Sequence, residues 1–187
     1  MSGADSVNII ISKAKNGSTT CSADNIFIHS SYNPQREAQS FTASLAVDFS
    51  PACLLIIEPA LSYCLPFLRD RFPQAELACI RLDSAFRSYD QGWDFVFYFS
   101  GDAKKDSEAL YSHFGEEKLC AMFTAAWPAS ERIFSRQSQC AWQAVKQSIL
   151  KSRDVLYTRS YFSKRWLKNS IRFAQSVRKA AAPSAGS

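Results

Sequence analysis

The pattern of hydrophobic and polar positions predicts strands near the amino terminus, followed by strands and helices in alternation. Residues 7–29 contain β-branched apolar stretches, and Asn16-Gly17 between them is a favoured hairpin turn. The pair Asn33-Pro34 then predicts a helix start, because Asn caps a helix well and Pro fits its first turn. We therefore expect a small β element and a first helix ahead of the main sheet.

Three later apolar segments predict the strands of a parallel sheet. The run 52–58 is apolar up to Glu58, which is typical of a strand buried on both faces. Segments 76–82 and 94–100 predict two more strands. Leu61, Leu65 and Leu68 at helical spacing, with Pro73 as the stop, predict the crossover helix. The fold class is therefore predicted to be α/β, with a Rossmann-like, mostly parallel sheet flanked by helices.

The second half of the chain is predicted to be mainly helical. Residues 106–114 have helical character, residues 119–124 fit a strand or a buried helix, and residues 138–179 fit one long helix or two in succession. We expect three parts: an α/β domain at 1–136, a basic helical arm at 137–179 and a disordered tail at 180–187.

Charge divides the chain in a similar way. Residues 1–145 carry 12 Lys and Arg against 16 Asp and Glu, a net charge of −4, and residues 146–187 carry 10 against one, a net charge of +9. No stretch approaches the roughly 20 apolar residues of a membrane span, and no secretion signal is visible. The six cysteines lack the close spacing of zinc ligands or redox pairs. We expect a cytoplasmic protein with reduced thiols and no cofactor.

A ligand crevice is expected where the parallel strands end, because open α/β sheets bind ligands at that edge. The candidate residues are His29, Ser30, Tyr32, Glu37, Glu58, Tyr63 and Asp83. Structural roles compete with ligand binding at several of them: a turn or cap for Ser30, a strand-end hydrogen bond for His29 and a solvated strand end for Asp83. The sequence offers neither a nucleophile elbow nor metal-ligand spacing, so we assign no catalytic residue and no metal ligand.

Three segments, residues 28–38, 54–63 and 159–169, resemble signatures of the bacterial motility-associated-factor proteins. The first is similar to the family's hSxYdPxxEA motif, the second to its strand-GxGLGYh turn, and the third to the rWxxN stretch before the central domain. The resemblance covers residues 7–173. Bacterial members of this family are implicated in transferring nonulosonic acid sugars to flagellin, and archaeal 6-hydroxymethylpterin diphosphokinases share the central domain.

Two departures from the family bear on function. The family's transfer chemistry belongs to the central domain, which begins with a GxGPSL-type turn, and the present sequence has no such motif. The turn 58–63 also lacks the family's glycines; Pro59 removes a donor, and Glu58 puts a negative charge where an anion would sit. The resemblance therefore implies a non-catalytic amino-terminal module that works by protein–protein interaction, with flagellin or a separate catalytic glycosyltransferase subunit as partner.

Two other functions stay open at this point. A Rossmann-like enzyme that binds S-adenosylmethionine or a nucleotide fits the strand order, although the glycine-free turn disfavours it. Binding of nucleic acid or an anionic surface fits the basic and aromatic arm. A single basic helix is a signal of low specificity for nucleic acid, however, and we favour docking on a protein partner. The partner-docking candidates fall along the predicted helix of the arm, and they are Phe162, Arg165, Trp166, Asn169 and Phe173.

Overall fold

The computed structural model describes residues 7–180, and side chains in the last helix are described as far as Lys168, with the exception of Arg165. A four-stranded parallel sheet lies between helices, and a separate three-stranded antiparallel sheet precedes it in the chain. The predicted α/β class with a Rossmann-like sheet is thereby confirmed. The tail expected at 180–187 lies outside the described residues, apart from Ala180.

The antiparallel sheet contains β1 (Ile9–Lys13), β2 (Thr19–Ala23) and β3 (Ile26–Phe27), in that order. The hairpin predicted at Asn16-Gly17 is present, and Gly17 has the positive φ of 84° that this turn requires. Its loop is longer than the two residues that the pair favours, because Lys13 pairs with Thr19. The Asn16 side chain closes this wider turn by accepting a hydrogen bond from the Ser18 N–H at 3.1 Å.

The parallel sheet contains β4 (Cys53–Ile57), β5 (Glu76–Arg81), β6 (Phe95–Tyr98) and β7 (Met122–Ala126), in the order β6-β5-β4-β7. The three strands predicted from residues 52 to 100 are confirmed, with ends a residue or two shorter. All five residues of β4 are buried, as the continuous apolar run indicated. The segment 119–124 is divided between the end of a helix and the start of β7.

The helices are α1 (Pro34–Ser44), α2 (Leu65–Arg71), α3 (Ala103–Cys120), α4 (Pro128–Ile133) and α5 (Ser135–Ala180), with a 3-10 helix at Ser84–Tyr89. Asn33 caps α1 as predicted and accepts a hydrogen bond from the Arg36 N–H. The prediction placed Leu61 in the crossover helix, which was wrong. Residues in the turn before α2 have positive φ, so the helix begins only at Leu65.

Side chains of the parallel sheet alternate between two apolar layers, as strand geometry requires. Leu54 and Ile56 face the layer made with the antiparallel sheet, α1 and α2. Leu55 and Ile57 face the layer made with α3 and α5. The first turns of α5 pack in that second layer, through residues that include Ala141, Ala144 and Val145.

Helix α5 runs parallel to α3 and continues past its end. Helix α3 has a break at Gly115, whose φ of 69° and ψ of 175° are not helical. Before the break the Lys151 ammonium lies 4.1 Å from the centre of the Tyr111 ring, and after it Arg159 Nη2 lies 3.2 Å from Glu116 Oε1, so residue numbers rise together along α3 and α5 on both sides of the break. Because α3 ends just before β7, it ends at the amino-terminal edge of the sheet. Residues 160–180, the distal segment of α5, therefore extend roughly 30 Å past that edge.

None of the helices within residues 7–180 combines the length and the hydropathy that a membrane span requires.

Candidate functional site

The candidate crevice lies between β4 and β7, at the carboxyl ends of these strands. The chain steps from β4 to β5 and β6 on one side and then returns to place β7 on the other side. Ligands of open α/β sheets bind at this kind of reversal point. Glu58 directly follows β4, and Trp127 directly follows β7. Both side chains are buried, with exposed fractions of 0% and 1%.

The Glu58 carboxylate is surrounded by hydrogen-bond donors of the protein. Oε1 accepts from the Ala60 N–H at 3.1 Å and from Arg81 Nη1 at 3.0 Å. Oε2 accepts from the N–H groups of Leu82 at 2.6 Å and Asp83 at 3.1 Å. Three backbone N–H groups and a guanidinium are the surroundings that a bound anion needs. The protein's own carboxylate therefore occupies the anion position at the end of β4.

Arg81 holds this arrangement together from the end of β5. Its side chain is buried, and all five of its N–H donors are used. The acceptors are Glu58 Oε1, the carbonyl oxygens of Ala60 and Tyr89, Ser62 Oγ and Asp90 Oδ1, at 2.7–3.0 Å. Trp93 Nε1 also donates to Ser62 Oγ, at 3.0 Å. The network ties the loops after β4 and β5 to each other.

Burial and charge act in opposite directions on the ion pair. Burial raises the pKa of Glu58, and the Arg81 guanidinium with the N–H groups of Leu82 and Asp83 opposes that rise. Burial lowers the pKa of Arg81, but the Glu58 carboxylate and other neighbours outweigh it and the net change is upward. If either Glu58 or Arg81 bound a ligand instead, the buried ion pair between them would be broken.

The turn after β4 has an unusual backbone. Glu58, Ala60 and Ser62 have φ values of 43°, 46° and 59°, so every second residue is left-handed although none is glycine. Each such residue costs on the order of 1–3 kcal/mol and persists only where its surroundings fix it. Here the side chains of Glu58 and Ser62 belong to the Arg81 network, which supplies that constraint.

The β7 side of the crevice is filled by aromatic rings. Trp127 Nε1 donates to the Ile28 carbonyl at 2.8 Å. The Trp127 ring packs against His29, with centroids 4.7 Å apart, and against Phe41, with centroids 4.9 Å apart. The Tyr63 ring meets His29 edge-on at 5.4 Å. The segment after β3 and the helix α1 thus close this half of the crevice.

His29 has a structural role here. Its Nε2 accepts a hydrogen bond from the Leu61 N–H at 3.2 Å, so the neutral imidazole carries its proton on Nδ1. Nδ1 faces Glu37 Oε2 at 3.6 Å and has no hydrogen-bond partner within the described residues. Glu37 Oε2 instead accepts from the Ser30 N–H at 2.7 Å. The imidazole holds the β4 turn against the amino-terminal element.

The remaining candidates also serve local structure. Ser30 Oγ accepts from the N–H groups of Tyr32 and Asn33, which is the turn role that the sequence suggested. Asp83 caps the 3-10 helix by accepting from the Ala85 N–H at 2.8 Å. The structure places His29 beside Glu37 and Tyr63, whereas Glu58 lies among the donors of the Arg81 network. Tyr32 lies outside, with 63% of its surface exposed.

Three important residues were not identified from the sequence: Ser62, Arg81 and Trp127. Arg81 gave a usable signal, because a basic residue inside an apolar strand must find an acceptor when it is buried. In the sequence, Trp127 indicated only where a strand ends and gave no sign of its role in the crevice. Among residues 7–180, no group of three His, Cys, Asp or Glu side chains is arranged to hold a metal ion.

The distal segment of α5 exposes a face that is buried nearer the body. Phe162 and Trp166 follow Ala144 and Ser148 by 18 residues each, which is five full helical turns. Ala144 and Ser148 are fully buried, whereas Phe162 and Trp166 are 59% and 71% exposed. The core-facing side of α5 therefore continues past the body without a cover. The side chains of Arg165, Asn169 and Phe173, the other docking candidates, lie outside the described residues.

Comparison with known proteins found one protein with a similar sequence. An uncharacterized protein of Treponema pallidum (strain Nichols) is 35% identical over 75 residues. The matched stretch covers 39% of this chain and 17% of that protein, which is therefore much longer. No protein-family model and no solved structure matches the chain. The comparisons show similarity to a segment of a longer protein, and that protein's name states no activity.

Proposed function

We propose that this chain is a non-catalytic interaction module, related to the amino-terminal part of motility-associated-factor proteins and to flagellin glycosylation. In this proposal it works in the cytoplasm and docks flagellin or a separate catalytic glycosyltransferase subunit through the exposed face of α5. The observation that carries the proposal is the crevice at the carboxyl edge of the sheet, which the protein fills with its own carboxylate and rings.

The backbone of the β4 turn supports the family resemblance. When the turn is matched to the family's GxGLGY pattern, the three glycines fall on Glu58, Ala60 and Ser62. These are the three residues of the turn that have positive φ, the conformation that glycine adopts most readily. The turn thus has the backbone shape of a glycine-rich turn, but side chains occupy the space that glycines would leave open for a ligand.

The filled crevice disfavours the enzyme alternative. A nucleotide or S-adenosylmethionine needs backbone N–H groups and open space beside the first strand of the sheet. The N–H groups of Ala60, Leu82 and Asp83 already donate to Glu58. A ligand anion would have to displace the buried Glu58 carboxylate from its guanidinium partner, and this would leave the carboxylate buried without its counter-charge.

The α5 face supports a docking role. Exposed aromatic side chains such as Phe162 and Trp166 are typical anchors of protein interfaces. Between residues 150 and 168 the helix carries six Lys and Arg and a single acid, Asp154. A partner surface with an apolar groove and acidic rims would complement this helix in shape and in charge.

Replacing Trp166 by Ala is expected to weaken the binding of the partner at least about tenfold, because a central aromatic anchor is lost. The probes are purified flagellin and a purified catalytic glycosyltransferase subunit from the same cells, titrated against the full chain by interferometry. Tyr157→Ala is the matched control. Tyr157 is 73% exposed and follows Gln139, an exposed residue, by five turns, so this change should alter the affinity less than about twofold.

Two results would contradict the proposal. One is the absence of binding to either probe, and the other is an equal loss in both variants. Binding of duplex DNA or of anionic vesicles in place of the protein probes would favour the surface-binding alternative. In that case the affinity should fall by about 10³-fold or more between 50 and 200 mM salt if six or more phosphates are contacted.

A further inference from the structure

Strand β7 is an unpaired edge of the parallel sheet. It pairs with β4 on one side, and no other strand within residues 7–180 pairs with its second side. The backbone N–H of Trp127 donates to the Ile57 carbonyl. Because backbone groups of alternate residues point to the same side of a strand, those of Phe123 and Ala125 also face β4. The N–H and C=O groups of Met122, Thr124 and Ala126 therefore point away from the sheet. Such a row is a template for another strand.

We propose that the β7 strands of two copies of this chain pair in antiparallel orientation around a two-fold axis at Thr124. In this register Thr124 pairs with its copy, and Met122 pairs with Ala126 on both sides of the axis. The outward groups at residues 122, 124 and 126 then all find partners, which gives six backbone hydrogen bonds. The product is one sheet of eight strands, and the interface is the same patch on both copies.

The Thr124 hydroxyl supplies an independent observation. Its Oγ1 atom is buried and has no hydrogen-bond partner within the described residues. A two-fold axis at this residue puts the two Thr124 side chains directly opposite each other on the same face of the sheet. Facing Thr side chains in antiparallel strands form hydrogen bonds. The pairing thus satisfies a group that the single chain leaves without a partner.

An apolar cleft of about 380 Å³ runs beside the same edge. It lies between β7 and the flank of α5, and its lining residues are Met122, Thr124, Trp142, Val145, Lys146, Ile149 and Leu150. Leu150 is 37% exposed at the rim. Antiparallel pairing of the strands brings the two clefts together on one face, so the α5 flanks cover each other's apolar residues.

Charge selects a second copy as the occupant. Edge strands that avoid self-pairing carry Lys, other charged residues or Pro, and β7 consists of Met-Phe-Thr-Ala-Ala with none of these. An uncharged strand complements itself without repulsion. The distal segment of α5 is strongly basic, so contact between two such segments would be repulsive. Within the cleft lining only Lys146 is charged, so the edge at β7 carries far less charge than the distal segment, and it is the surface on which two copies meet. This inference does not depend on the proposed function.

Sedimentation velocity of the full chain over a wide concentration range tests the proposal, and a reversible dimer is the expected result. Leu150→Lys should raise the dimer dissociation constant at least about tenfold, because it removes an apolar rim residue and adds a second cation to the Lys146 that already lines each cleft. Leu167→Lys is the matched control on the distal segment, where Leu167 is 56% exposed, and it should leave the dimer unchanged.

Amide exchange measured by nuclear magnetic resonance reports on the register. The amides of Thr124 and Ala126 should exchange slowly at high protein concentration and faster on dilution, while those of Phe123 and Ala125 stay protected in both states by their bonds to β4. A monomer at every concentration would overturn the proposal. So would a dimer that Leu167→Lys dissociates and Leu150→Lys does not, since it would form through the distal segment.

Discussion

Replacing Arg81 by Met is expected to lower the free energy of unfolding by about 3–5 kcal/mol, as is usual when one partner of a buried ion pair is removed. The change leaves the buried Glu58 carboxylate without its counter-charge. It also removes the donors to Ser62 Oγ and to the carbonyls of Ala60 and Tyr89. Urea unfolding followed by circular dichroism measures the effect.

Arg69→Met is the matched control. Arg69 pairs with Asp94, but both side chains are about 40% exposed (39% and 41%), so this change should lower stability by about 1 kcal/mol or less. If Arg81→Met does not fold, Glu58→Gln combined with Arg81→Met should recover part of the stability, because the fully buried charge at position 58 is removed together with its partner. Equal losses for the two single Arg variants would contradict the role assigned to the Arg81 network.

Replacing Trp127 by Ala is expected to lower the free energy of unfolding by about 3–5 kcal/mol, the range for large aromatic residues in a core. Trp127 fills the β7 side of the crevice and touches His29 and Phe41, and its indole N–H donates to the Ile28 carbonyl. The variant would leave a cavity and an unpaired carbonyl. Urea unfolding again provides the measurement.

Trp166→Ala is the control for this prediction, since it makes the same change at an exposed position. Trp166 is 71% exposed on the distal segment of α5, so the change should shift stability by no more than about 0.5 kcal/mol. The two Trp variants therefore distinguish a loss of fold stability from a loss of partner binding. Trp127→Ala should destabilise the fold, while Trp166→Ala should weaken partner binding in a fold of normal stability. A large stability loss for Trp166→Ala would mean that its ring packs on the body.

Much of the fold follows from local sequence signals. The apolar run of β4 predicted a strand buried on both faces, and Asn33 with Pro34 predicted the start of α1. Helix α5 shows no Gly or Pro within its length, and it forms one helix from Ser135 to Ala180, the first of the two forms expected. These features depend on neighbours in sequence, which is why the sequence reveals them.

The turn after β4 could not be predicted in the same way. Leu61 has helical spacing with Leu65 and Leu68, and this favoured an earlier helix start. The observed turn depends on Arg81, a residue about 20 positions later, whose guanidinium binds Glu58, Ala60 and Ser62. A contact between distant segments overrode the local pattern, and it also fixed three non-glycine residues in left-handed conformations.

The sequence predicted that Glu58 and Asp83 lie at the carboxyl edge of the sheet, and the hydrogen bond from the Asp83 N–H to Glu58 Oε2 agrees with that placement. The sequence also identified Glu58 as an unfavourable charge for a ligand anion. The filling of the β7 side by Trp127 and His29 depends on the antiparallel element folding over the sheet, and the sequence gives no signal for that packing. The side-chain network of Arg81 is likewise a product of the tertiary fold.

In the proposed function the protein itself fills the crevice and the chain acts by docking. Calorimetric titration of the full chain with S-adenosylmethionine and with ATP tests whether the crevice still admits a ligand. We expect no saturable heat for either compound, with any dissociation constant weaker than about 1 mM. Saturable binding in the micromolar range would show that the carboxylate of Glu58 and the ring of Trp127 give way to a ligand, and it would overturn the proposed function.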